Sequence, residues 1–186
     1  MTITSLIGDV QRRYIEFFTV ARDRISASEG NVATEVLVAL NNEQIPYPYR
    51  YLRVDVLSKN SDDAIKPFEL TLDPDPDFEA TEFKFGGVQI AIYPFSWNRA
   101  QIVFEKAIAD QQQLDRFITR WLDVEETEAH AYDNLSGAAH SFTPVESNGV
   151  WWYLTADFGT APAEAMIEFI EILASHGMTR ITVKAG

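Results

Sequence analysis

The chain has three imidazoles, His130, His140 and His176, and no cysteine. With no thiol to attack or to ligate, nucleophilic chemistry would need a serine or threonine beside a histidine base and an orienting acid. No Gly-x-Ser-x-Gly elbow provides the strand-turn-helix setting that exposes such a serine. His130 and His140 lie ten residues apart in a polar stretch that also holds Asp133. Together these could approach a metal ion, but the short ligand spacing typical of metal sites is missing. His176 precedes Gly177 at the end of a helical pattern, where a partly positive imidazole favours the negative end of the helix dipole. Capping accounts for it.

The acids are more numerous and less specific. Asp73-Pro74-Asp75-Pro76-Asp77-Phe78-Glu79 sets aspartates at alternate positions, as the start of a calcium loop does. Such a loop also needs glycine at its sixth position and glutamate at its twelfth. Counted from Asp73 these are Phe78 and Lys84, so calcium is not expected. Asp157-Phe158-Gly159 shares its letters with the metal-binding tripeptide of protein kinases, without the glycine-rich loop or the His-Arg-Asp loop that go with it. It reads instead as the end of a strand turning into a helix. Gly86-Gly87 is not followed by the lysine and hydroxyl of a phosphate cradle. Carboxylate pairs for acid–base work stay open, because 28 acids supply many pairs and a sequence gives no distances. Neither a metal ion nor a cofactor is expected from these patterns.

The elements that would position these residues are clearer. Ile3, Leu6, Ile7, Val10, Tyr14, Phe17, Phe18, Ala21 and Ile25 recur at three- and four-residue intervals, which predicts a helix over 3–27. Val32 to Leu40 alternates with period two, and so does Tyr49 to Ser58, with Leu52, Val54 and Val56 on one side and Tyr51, Arg53 and Asp55 on the other. Phe68 to Leu72 reads as a short strand, and Glu82 to Phe95 as one or two strands bent at Gly86-Gly87. Residues 98–107 fit either a buried strand or a buried helix. Asp110 can cap a helix carrying Leu114, Phe117, Ile118, Trp121 and Leu122, and 125–139 reads as loop. Ser141 to Glu146 and Val150 to Asp157 flank Asn148-Gly149, a hairpin signal. A helix from Thr160 and Pro162 to His176, then a strand from Met178 to Lys184, complete a strand-helix-strand unit. The expected fold class is α+β: a single mixed, mainly antiparallel sheet, three helices packed on it, a C-terminal βαβ unit, and one domain over 1–186.

Composition narrows the partners. The 28 acids against 15 bases give a formal charge of -13, which disfavours nucleic acid and anionic membrane. No run approaches the ~18 apolar residues of a membrane span, and the first residues lack the cationic start of a secretory leader, so a cytoplasmic location is expected. The charge is uneven: residues 1–60 net zero, while Asp62 to Glu82 hold eight acids opposed by Lys66 alone. Adjacent Trp151 and Trp152 must face opposite ways in a strand, which implies that both faces of the sheet are covered or used.

These features together lead to an expected non-enzymatic protein-interaction domain for a basic protein. Its expected partner-binding residues are Asp73, Asp75, Asp77, Glu79, Glu82, Trp97 and Trp151. Size, charge and element order are similar to those of inhibitor or immunity-type binders and secretion chaperones. A homodimer burying its own aromatic face is a further possibility. The competing expectation is a small-molecule binder or small hydrolase with an aromatic-lined pocket near Trp97, Trp151 and His140.

Overall fold

The structure, a computed structural model, describes residues 1–59, 63–73, 76–126 and 134–186. Helix α1 (Ile3–Glu29) opens on a capping box in which Thr2 and Ser5 satisfy one another's backbone N–H groups. It buries Leu6, Ile7, Val10, Tyr14 and Phe18, the stripe its sequence periodicity predicts. Strands β1 (Val32–Ala39), β2 (Tyr51–Lys59) and β3 (Ile65–Phe68) follow. Then come β4 (Thr81–Phe85), β5 (Val88–Ile92) and β6 (Ala100–Phe104). Helix α2 (Gln111–Leu122) precedes β7 (Ser141–Phe142), β8 (Glu146–Ser147) and β9 (Trp152–Asp157), and α3 (Glu164–Ser175) and β10 (Arg180–Ala185) close the chain. Among the described residues, no helix is long and apolar enough to cross a membrane.

The α+β class is as expected, but the strands form two sheets where one was expected. Strands β1, β2 and β3 form an antiparallel three-stranded sheet with β2 central. The larger sheet runs β4-β5-β10-β6-β9-β7, with β8 also paired to β9. Strands β9 and β10 are both antiparallel to β6, hence parallel to one another. The predicted βαβ unit is present with β6 inserted between its strands. The β4–β5 turn consists of Gly86 and Gly87, both at positive φ (55° and 88°), as a two-residue hairpin requires.

One residue joins the sheets. β3 pairs with β2 only from Val56 to Lys59. The uncovered half of that edge is taken by His140, whose carbonyl accepts from Arg53 N–H (2.7 Å) while its own N–H donates to the Asp157 carbonyl (2.8 Å). Around this seam the core is a single contiguous apolar cluster. Ring contacts run through it from Phe169 on α3 to Phe117 on α2, Phe142 on β7, Phe158 and Trp97. Truncating a fully buried member such as Leu114 would cost about 2–5 kcal/mol.

Strand β2 reverses the simplest reading of its alternation. Arg53 and Asp55 are buried, at 8% and 6% exposure, whereas Leu52 and Val54 are half-buried at the margin of a cleft. The polar row faces inward. Arg53 can be there because its guanidinium donates to three carbonyls: Leu122 (3.0 Å), Glu35 (2.8 Å) and Asp123 (3.1 Å). It thereby caps the C-terminus of α2 and holds the backbone of Glu35.

Candidate functional site

Glu35 sits inside a strand whose neighbours are Thr34 and Val36, yet its φ is +52° and its side chain is buried. A non-glycine residue in the left-handed region costs of order 1–3 kcal/mol and persists only where its surroundings hold it. Here the hold is dense. The Glu35 carboxylate accepts from Ser136 N–H and Oγ (both 2.6 Å) and from Thr160 Oγ1, and it meets His140 Nε2 at 3.0 Å. Burial by itself would raise the Glu35 pKa, but these hydrogen bonds and the adjacent imidazole hold it below the usual carboxylate range.

His140, 1% exposed, lies between two carboxylates. Asp55 Oδ1 stands 2.7 Å from Nδ1 on the side away from Glu35. This ion pair is the close partner of Nδ1 among the described residues. Burial works against charge on the ring, but Asp55, Glu35 and Asp157 outweigh it and lift the His140 pKa to about 10. The imidazole is walled by the edge of Phe18 (5.8 Å between centroids) and by Gly159. A Cβ on Gly159 would fall 2.1 Å from His140 Cδ2, and φ there is +49°. Only glycine lets the chain pass so close to the ring.

Asp157, at the end of β9, completes the group. Its Oδ1 accepts from Gly159 N–H (2.8 Å), as Asp55 Oδ2 accepts from Leu70 N–H (2.6 Å), so a backbone amide fixes one oxygen of each carboxylate. Burial raises the Asp157 pKa to about 7, with Asp55 and Glu69 adding to the rise against the pull of His140. One ligand atom from each of Asp55, His140 and Asp157 can be chosen so that all three lie within 4.8 Å of one another, a set able to hold a metal ion. Tyr14 of α1 is buried nearby with no hydrogen bond to its hydroxyl among the described residues. Its pKa is raised well above 10 by burial and by the charges of Asp157, Asp55 and Glu35.

The group is reached through a cleft of about 390 Å³, whose walls include Leu52, Val54, Pro67 and Phe68, with Asp55, Glu69, His140 and Asp157 toward its polar side. A smaller pocket of about 100 Å³ shares Asp55, Glu69 and Asp157 and adds Ser96, Asn98 and Arg99. Glu69 is exposed at the mouth.

Of the residues expected to bind a partner, Asp73, Asp77 and Glu79 are exposed between β3 and β4. Glu82 is exposed on β4, where its carboxylate accepts from Gln89 (3.0 Å). Asp75 lies outside the described residues, as do His130 and Asp133 of the metal grouping considered from sequence. Trp97 is fully buried, stacked on Phe158 at 4.7 Å, so it belongs to the core and not to a binding surface or pocket wall. Trp151 is half-buried beneath the Arg180 guanidinium (5.0 Å) and does not line the cleft. His176 caps α3, and its Nε2 meets Gln113 Oε1 of α2 at 3.0 Å.

Of the three residues near which the sequence suggests a pocket, Trp97, Trp151 and His140, only His140 lines this cleft, and Glu35, Asp55 and Asp157 as that residue's partners are not expected from the sequence. The available signal was polar residues inside apolar strands: Glu35 within Val-Ala-Thr-Glu-Val-Leu-Val, and Arg53 and Asp55 within Leu-Arg-Val-Asp-Val. Compared with known proteins, the chain matches no family model, no curated protein and no solved structure.

Proposed function

We propose that the protein is a hydrolase whose active site is the cleft floored by Asp55, His140 and Asp157. What supports this most directly is the convergence, beside an open cleft, of ionisable side chains from distant parts of the chain. Burying charged groups is weak as a source of stability, since desolvation offsets most of the attraction. Clusters of buried, mutually perturbing ionisable groups in clefts are characteristic of catalytic sites.

The roles follow from position. A water at the cleft floor gives its proton to the Asp157 carboxylate as its oxygen adds to the electrophilic carbon of the substrate. The same proton then leaves with the departing alcohol or amine. Positive charge on the buried His140 ring, beside the cleft, offsets the surrounding carboxylates and so favours the oxyanion formed in between. Glu35 fixes the ring through Nε2 and Asp55 backs it at Nδ1. The excess of carboxylates, with Glu69 at the mouth, selects a neutral or cationic substrate over an anionic one, and Leu52, Val54 and Phe68 supply apolar contact.

A panel of chromogenic esters and amides, neutral and cationic, tests this. Turnover of at least one substrate is expected, falling about 100-fold or more in Asp157→Asn. No turnover across the panel, or turnover unchanged in that variant, would overturn the reading.

A second reading rests on the exposure of Asp73, Asp77, Glu79 and Glu82. As a docking face for a basic protein, these carboxylates would speed association, with an affinity that falls steeply as salt is added.

A further inference from the structure

The hydrolase reading asks for positive charge on the His140 ring. In the protein as described, a proton can fill that place between the carboxylates. The surrounding geometry is that of a different occupant. We infer that Asp55, His140 and Asp157 bind one divalent transition-metal ion, with His140 ligating through Nδ1 and Glu35 acting as the carboxylate behind the ligating histidine.

Three independent features carry this. First, Nδ1 belongs to a side chain 1% exposed and, among the described residues, its close partner is the Asp55 carboxylate at 2.7 Å, with Asp157 in the same group of potential ligands. An ion between this nitrogen and the Asp55 oxygen would take both as ligands. Second, the opposite nitrogen is secured. Metal-ligating histidines almost always give their other ring N–H to a carboxylate or carbonyl, which sets the tautomer and aims the lone pair. Glu35 stands 3.0 Å from Nε2 and is itself held by Ser136 and Thr160, so a proton on Nε2 leaves the Nδ1 lone pair on the side of Asp55. Third, each aspartate has one oxygen anchored by a backbone N–H, from Leu70 or from Gly159, and has a second oxygen to offer.

The donor set selects the ion. One imidazole and two carboxylates with no thiolate suit zinc or manganese better than a soft ion. Ligand atoms on a tetrahedral ion at ~2.1 Å are about 3.4 Å apart, so a set lying within 4.8 Å must draw together by up to about 1.4 Å when the ion binds. Three protein ligands leave at least one position for water, which is the arrangement of catalytic rather than structural sites. With Asp157 as a ligand, the ion would supply Lewis acidity and a bound hydroxide in place of the Asp157 base.

The inference rests on the hydrolase reading for its purpose but not for its test. The purified full chain, stripped with EDTA, is titrated with Zn²⁺ and separately with Mn²⁺ by calorimetry. One site per chain is expected, weakened at least 100-fold in Asp157→Asn and 10–100-fold in Glu35→Gln. The triple variant Asp73→Asn, Asp77→Asn, Glu79→Gln, which leaves the cleft intact, is expected to bind as the wild type does. Circular dichroism of each variant confirms that the fold is retained. Absence of a stoichiometric site, or a site untouched by Asp157→Asn but abolished in the triple variant, would overturn the inference. Metal binding without turnover on the substrate panel would remove the hydrolase and leave the ion. Turnover that persists in the stripped enzyme with EDTA present would remove the ion and leave the hydrolase.

Discussion

Glu35 and Asp55 stand across from one another on neighbouring strands, and between them they hold the two nitrogens of a single imidazole. The β1–β2 register passes from Thr34↔Val56 to Val36↔Val54 and omits the pair between. At that lapse Glu35 turns to positive φ, and its carboxylate reaches His140 Nε2 while Asp55 reaches Nδ1. The interruption in the ladder is what allows both acids onto the same ring.

Gly159→Ala tests how tightly the imidazole is enclosed. The added methyl meets His140 ring carbons and the backbone must stay at positive φ. A loss of about 2–4 kcal/mol is expected, combining backbone strain with overpacking. Urea denaturation measures it, with Gly8→Ala as the contrast. Gly8 lies in α1 with open space where a Cβ would sit, so there alanine should stabilise by up to about 1 kcal/mol.

Arg53→Lys should be far from conservative. Lysine has one donor group where the guanidinium fork serves three carbonyls from two elements. Two buried carbonyls at the end of α2 and the one at Glu35 would compete for it. An expected loss of about 2–4 kcal/mol should appear as a lowered midpoint in thermal unfolding.

Asp157→Asn should stabilise the protein at neutral and alkaline pH while lowering the turnover that the proposed hydrolase reading expects. Its folded pKa of about 7 lies above the ordinary aspartate value of 3.8. Between those values the native state keeps a proton that the unfolded chain has released. The contribution of this group to stability is therefore favourable at low pH, falls as pH rises from about 4 to 7, and reaches its full cost above that range. Asparagine escapes the cost. The gain should be of order 2 kcal/mol at pH 8 and near zero at pH 3.5, measured as urea midpoints in EDTA. A gain independent of pH would contradict the crowding of Asp157 by Asp55 and Glu69.

Tyr14→Phe removes a buried hydroxyl that makes no hydrogen bond among the described residues. Stability should be unchanged or raised by up to about 1 kcal/mol. Because burial and three nearby carboxylates push this phenol well above its usual pKa, the absorbance change at alkaline pH up to 11 should be the same in wild type and variant.

The parts of the fold set by local pattern were legible in the sequence. The α1 stripe, the Asp110 cap on α2 (to Gln113 N–H, 3.1 Å) and the Asn148-Gly149 turn each depend on neighbours a few residues away. β3 was placed late, at 68–72 instead of 65–68, because Leu70 and Leu72 are buried without being in a strand. The division into two sheets was not legible, since it depends on which half of one β2 edge is left for His140. The site was hidden for the same reason. Alternation along β2 separates two faces without saying which is interior, and Arg53 with Asp55 can face inward only because partners from residues 70, 122 and 140 meet them there. Of the acids that stood out in the sequence, Asp73, Asp77 and Glu79 are exposed, while those at the cleft, Asp55 and Asp157, are spaced too widely to form a motif.

The seam at residue 140 means that the cleft cannot be edited independently of the scaffold. The amino acid whose main chain splices the two sheets is also the one whose buried ring joins the carboxylates of Glu35 and Asp55 beside the cleft. Substitutions that reshape this cluster will therefore tend to loosen the whole molecule. In a saturation library, substitutions at the cleft should lower soluble yield, and with it any turnover there, while Asp73, Asp77 and Glu79, all exposed, should tolerate nearly every replacement.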